Sequence, residues 1–154
     1  MLPLSLPFGA QTILIRAAKV EEIVPLRHRI LRAGLPMEEA RFEFDEAPAT
    51  CHVAAFEGFQ AVCSATFQLN AWENEPAFQL RGMATDVDWQ RRGLGQAVLQ
   101  YATDLVLEGS PVRLFWCNAR VPALEFYRRQ GWVERSEEFN IPTAGPHRKM
   151  TRRA

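Results

Sequence analysis

The stretch Gln90–Leu99, Q-R-R-G-L-G-Q-A-V-L, limits what this chain can fold into more than any other. Two glycines one residue apart stand directly ahead of Leu94, Ala97, Val98, Tyr101, Ala102 and Leu105, which recur at steps of three and four. That period predicts an amphipathic helix opened by a glycine turn and stopped at Gly109. The first N–H groups of a helix have no partner inside it and sit at the positive end of its dipole. Glycine lets a ligand approach them without a Cβ in the way. The stretch therefore reads as a cradle for phosphate, and its neighbours must say which phosphate.

A nucleotide P-loop requires G-x-x-x-x-G-K-S/T, and here neither lysine nor hydroxyl follows. A dinucleotide fingerprint requires G-x-G-x-x-G, and Val98 holds the place of the third glycine. Coenzyme A makes a simpler demand, since its pyrophosphate needs only successive backbone donors at a helix start.

The remaining sequence bounds the answer. At 154 residues with 47% hydrophobic side chains, the chain fits one domain over residues 1–154 that buries its own core. Eighteen basic residues balance eighteen acidic ones, which argues against nucleic acid as a partner. Cys51, Cys63 and Cys117 are odd in number and lack C-x-x-C spacing, so they read as buried thiols of a reducing compartment, the cytoplasm. The opening M-L-P-L-S-L-P-F-G has no basic start and is too short and proline-broken for export or membrane spanning. His28, His52 and His147 lack metal-ligand spacing, so no metal is expected.

Residues 12–17 alternate as a first strand, and 20–32 suit a helix in which Pro25 marks the first turn or a kink. P-M-E-E-A starts a short second helix. Residues 50–56 and 61–69 read as a hairpin, and 77–85 as a strand in which Gly82 signals a bulge or a close backbone approach. V-R-L-F-W-C gives another strand, V-P-A-L-E-F-Y-R-R-Q a helix, and 136–151 a last pair of short strands. This order predicts an α/β fold, a mixed sheet core flanked by helices.

Gln90, Gly93 and Gly95 fit Q/R-x-x-G-x-G/A, and A-R-V-P-A-L-E-F-Y-R-R-Q-G-W follows in the form A-x-x-F-Y-x-x-x-G-F/W. In that pairing the chain resembles the Gcn5-related N-acetyltransferase (GNAT) family over nearly its full length. Its ending, I-P-T-A-G-P-H-R-K-M, is similar to a subset of bacterial members that close with I-P, then P-H and a near-terminal Met. The resemblance implies a single GNAT domain with a central, mostly antiparallel sheet, and transfer of acetyl from acetyl-CoA to an amine in a ternary complex. The alternative is a non-catalytic acyl-CoA sensor or protein-interaction module on the same fold.

Such transfer needs a held cofactor, a neutral amine, a stabilised oxyanion and a proton for the leaving thiolate. The resemblance implies that Met83, Ala84 and Thr85 line the pantetheine arm through backbone bonds, with an N–H near Met83 facing the thioester carbonyl. It gives the pyrophosphate to Arg91, Arg92, Gly93, Leu94, Gly95 and Gln96, and the thiolate's proton to Tyr127, with Phe126 filling the core face of that helix. Many members carry an asparagine seven residues before the tyrosine, where this chain has Arg120, which is left to reach the phosphates or face water. The general base stays open among Glu38, Glu39, Asp45, Glu137, Glu138, His52 and His147. Glu38 and Glu39 suggest a cationic acceptor walled by Trp72 or Trp116, though a solvated helix face or core packing explains each equally well. The acceptor is a small-molecule or peptide amine, and a homodimer is compatible with the chain.

Overall fold

In the computed structural model, which describes residues 1–154, one nine-stranded sheet carries three helices. Strands β1 (Leu4–Phe8) and β2 (Gln11–Ala17) precede helix α1 (Val20–Leu31). Strands β3 (Cys51–Glu57), β4 (Gln60–Leu69) and β5 (Phe78–Thr85) lead to helix α2 (Leu94–Gly109). Then follow β6 (Leu114–Arg120), α3 (Leu124–Arg129), β7 (Val133–Glu134), β8 (Phe139–Ile141) and β9 (Gly145–Arg153). The strand order is β1-β2-β3-β4-β5-β6-β9-β7, with β8 also on β9, and every pairing is antiparallel except β5 with β6. No helix is long and apolar enough to cross a membrane.

Two differences from the sequence reading have physical causes. The opening residues form β1, which the prolines hid. Pro7 lies opposite Thr12 on the outermost strand of the sheet, where a missing N–H costs no ladder bond. P-M-E-E-A closes only a 3-10 turn, Met37–Ala40, because just Ala40 of the four is buried. Pro25 lies inside α1 on its exposed side, where water can take the carbonyl bond that its missing N–H leaves.

Helices α1 and α2 cover opposite faces of the sheet, so β3 and β4 are buried on both sides. Val53, Ala55, Cys63, Ala65 and Phe67 join Leu94, Val98 and Ala102 of α2 in the main core. The alternate residues face α1, and among them Ser64, Thr66 and Gln68 are polar. Each is satisfied: Ser64 donates to the Gly82 carbonyl (3.0 Å), Gln68 to the Glu43 carbonyl (2.8 Å), and Thr66 accepts from Arg27 (2.8 Å).

Arg27 stands on the buried stripe of α1 formed by Val20, Ile23 and Val24, and is fully buried. Its guanidinium grips Asp45 through two bonds of 2.7 and 3.0 Å, donates to the Ala40 carbonyl (3.1 Å) and lies 4.1 Å from the Phe42 ring centroid. Asp45 also accepts the Phe42 N–H (2.7 Å). Removing one partner strands a buried charge, so Asp45→Ala should lower unfolding free energy by about 3–5 kcal/mol. Urea titration measures this, and a loss below 1 kcal/mol would show that the pair does not hold the α1 side of the sheet.

Candidate active site

Strands β5 and β6 pair only at Phe78–Leu80 with Phe115–Cys117 and then part. Beyond Leu80 and Cys117 lies a cleft of about 180 Å³, bordered by Met83 on β5, Asn118 and Arg120 on β6, Tyr127 of α3, the end of α1 and the β8–β9 hairpin. Beside this opening β5 carries the bulge that Gly82 signalled. Ser64 pairs with Ala84 and Thr66 with Arg81, so Gly82 and Met83 together oppose the single Ala65 and drop out of the ladder. Gly82 has φ +63°, and a Cβ there would lie 2.8 Å from Arg27 Nε, so the bulge requires glycine twice over.

The helix α2 begins as the spacing predicted. Gly93 is its N-cap, with φ 82°, and Arg91 before it also has a positive φ of 61°. No side chain caps this end, and no acidic residue stands in the first turn. The contrast is α1, whose first turn carries Glu21 and Glu22, with Glu22 accepting the Lys19 N–H (2.9 Å). The Ala97 N–H is the donor that reaches back to Gly93 (3.2 Å), which leaves the amides of Gly93, Leu94, Gly95 and Gln96 to the N-terminal opening. They border a groove of about 500 Å³ with Thr85, Arg91 and Arg129. Gln90 donates to the Thr85 carbonyl (3.0 Å) and so ties the turn to the end of β5.

Met83 joins the two spaces, for it borders the cleft while its Cε lies 3.5 Å from where a Gly95 Cβ would stand. Ala84 is buried, and the Thr85 hydroxyl lies 3.3 Å from Cys63 Sγ. Arg92 is anchored on an aromatic ring. Its guanidinium stacks 4.3 Å from the ring centroid of Trp89, which borders the groove with Arg91.

Tyr127 and Phe126 divide differently from the sequence reading. Phe126 borders the groove, and Tyr127 is the more buried of the two, packed edge-on to Trp132 at 5.6 Å while facing the cleft. Burial pushes its phenol well above the usual range, so it keeps its proton. Arg120 is half-buried; it borders the cleft rather than the groove and donates to the Leu31 carbonyl (3.4 Å).

Most candidates for the base are set aside by their surroundings. Asp45 is held by Arg27. Both nitrogens of His52 are used, Nδ1 with the Thr66 hydroxyl (2.8 Å) and Nε2 with the Asp45 carbonyl (2.9 Å). Glu38, Glu39, Glu137 and Glu138 are exposed and outside the cleft. His147 is buried, borders the cleft and stands opposite Arg120 across β6 and β9. Its Nδ1 lies 2.7 Å from the Gly145 carbonyl, which only accepts, so Nδ1 carries the proton of the neutral ring and Nε2 keeps its lone pair. Trp72 and Trp116 do not wall the cleft; they pack on each other at 5.6 Å in a separate cluster with Ala77 and Leu114. No three His, Cys, Asp or Glu side chains come together as a metal site.

Sequence reading left three contributors without a role: Arg27, Gln90 and Phe42. Arg27 announces itself as a cation on an otherwise apolar helical stripe, and Gln90 stands in the glycine motif. Nothing local marks Phe42.

An exposed glutamine at the first turn offers a clean test of the groove. Gln96→Glu adds a negative charge where the dipole welcomes it, so stability should hold or rise by about 0.3–1 kcal/mol. Acetyl-CoA affinity should fall roughly three- to tenfold through repulsion of the phosphates. Calorimetry reading unchanged affinity would place the phosphates elsewhere.

Residues 47–134 match the family described as the acetyltransferase (GNAT) domain. The chain is 31% identical over 136 residues to the uncharacterised N-acetyltransferase YitI of Bacillus subtilis (strain 168), covering 86% of this chain and 91% of that protein. Similar solved structures include Escherichia coli ElaA (TM-score 0.69, 14% identity, 91% of this chain and 99% of that one). Another is an aminoglycoside 6'-N-acetyltransferase complexed with coenzyme A (TM-score 0.71, 12% identity, 90% and 96%). The chain belongs to the GNAT family of acetyltransferases, enzymes that take their acetyl group from acetyl-CoA.

Proposed function

We propose that one domain spanning residues 1–154 moves an acetyl group from acetyl-CoA directly to an amine while both substrates are bound. One observation carries this reading. The gap between β5 and β6 holds Tyr127 and His147 and is linked through Met83 to the uncapped start of α2. Acetyl-CoA supplies the activated acyl group. The amides of Gly93 through Gln96 hold its pyrophosphate, and Arg91 adds charge nearby. Met83, Ala84 and Thr85 flank the arm, and an N–H freed by the bulge at Gly82–Met83 meets the thioester oxygen.

An amine with a pKa near 10 is only about one part in a thousand neutral at pH 7, so a base is needed. His147 Nε2 is the free lone pair in the cleft and takes that proton. Tyr127 gives its own to the departing thiolate. Cys117 also borders the cleft, but burial pushes its thiol far above the usual range, so a thiolate nucleophile is not formed and transfer needs no acyl-enzyme. The free thiols of Cys51, Cys63 and Cys117 suit a reducing, cytoplasmic setting.

Release of free thiol from acetyl-CoA in the presence of amines tests the reading. Tyr127→Phe and His147→Gln should each lower kcat by about a hundredfold with acetyl-CoA affinity kept, within the usual range for general acid or base loss. Because burial raises the Tyr127 pKa, its proton stays in place as pH rises, and kcat should show no alkaline fall below about pH 10. A protein that binds acetyl-CoA yet turns over no amine would be a sensor instead.

A further inference from the structure

The wall of the cleft opposite Tyr127 carries a charge pattern that acetyl transfer does not explain. Arg32 at the end of α1, Arg81 on β5 and Arg120 on β6 all border it, and no Asp or Glu does. None of the three has a carboxylate partner within ion-pair distance, although Arg16, Arg27, Arg29 and Arg148 each hold one. Their anchors are neutral. Arg32 and Arg120 both donate to the Leu31 carbonyl, at 3.0 and 3.4 Å by their closest nitrogens. Arg32 and Arg81 stack on the Phe42 ring, at 5.1 and 4.3 Å from its centroid. The nearest acids are spent or outside, with Asp45 held by Arg27 and Glu39 and Glu43 exposed. Burial and mutual repulsion push the Arg32 and Arg81 pKa values down from the arginine range, burial being the larger cause.

Three like charges gathered at a half-buried wall repel one another unless an anion joins them. A guanidinium meets carboxylate or phosphate oxygens through paired N–H bonds, so the wall matches either group. We infer that the acceptor is a small amine that also carries a carboxylate or phosphate, bound by Arg32, Arg81 and Arg120 with its amine toward His147 and Tyr127. This rests on the acetyltransferase reading above and reverses the cationic acceptor that Glu38 and Glu39 suggested, since neither borders the cleft.

The test uses matched pairs with the full-length protein and saturating acetyl-CoA, following thiol release. Glucosamine 6-phosphate is set against glucosamine, and amino acids from glycine to 6-aminohexanoate against their carboxamides. In at least one pair the anionic member should have a kcat/KM about tenfold or more above its partner. Which pair responds separates phosphate from carboxylate. The Arg32→Gln, Arg81→Gln double variant should lose that preference and keep its acetyl-CoA affinity. If the variant does not fold, the parent's preference still decides, as does calorimetry of the CoA-saturated parent with each pair. Equal or stronger response to neutral members, or no anionic member bound or turned over, would overturn the inference and leave the acetyltransferase reading standing. Loss of acetyl-CoA affinity in a folded double variant would overturn it too, by giving these arginines to the cofactor's phosphates. A parent that fails to bind acetyl-CoA would instead remove the reading on which it rests.

Discussion

The buried ion pair between Arg27 and Asp45 is the interaction on which the α1 side of this molecule depends. Two charges out of water are costly, and further hydrogen bonds with the Ala40 carbonyl, the Thr66 hydroxyl and the Phe42 N–H offset that cost, while the buried Arg27 Nε has no partner. The pair ties α1 to the 41–50 segment and to β4. Its guanidinium then lies where a Cβ of residue 82 would have to be, which fixes glycine at the β5 bulge. The same guanidinium stacks on Phe42, whose ring also receives Arg32 and Arg81. One cation thus shapes both the backbone of the β5 bulge and the platform of the proposed acceptor wall.

The parting of β5 from β6 gives the site its division of labour. Parallel pairing stops after three residues, and beyond it β5 carries the Gly82–Met83 bulge before the glycine turn while β6 runs on to Arg120 and α3. On the α2 side, backbone amides and Arg91 offer fixed positive partial charge to a diffuse anion. On the α1 side, side-chain guanidinium groups offer directional donors. Met83 stands between, and Tyr127 and His147 face the junction. In the proposed reaction, donor and acceptor therefore need not compete for the same charges.

What the sequence disclosed followed the strength of its local signals. The glycine turn, the long α2 period and Gly82 each have a mechanism that acts within a few residues, and each was legible. β1 was not, because Pro3 and Pro7 argue against a strand unless it is known to be at an edge. The split between Phe126 and Tyr127 falls in a helix of six residues, too short for periodicity to mark its buried face. Glu38, Glu39, Trp72 and Trp116 lie outside the cleft, a placement that residue type alone does not disclose. The arginine wall assembles residues 32, 81 and 120 from three elements, a long-range convergence that one chain read along its length does not display.

The most direct test is a crystal structure of the protein with coenzyme A. The account predicts pyrophosphate oxygens on the amides of Gly93 through Gln96 and the pantetheine arm in the gap between β5 and β6, beside Met83. Phosphates found on Arg32, Arg81 and Arg120, with the start of α2 untouched, would contradict it.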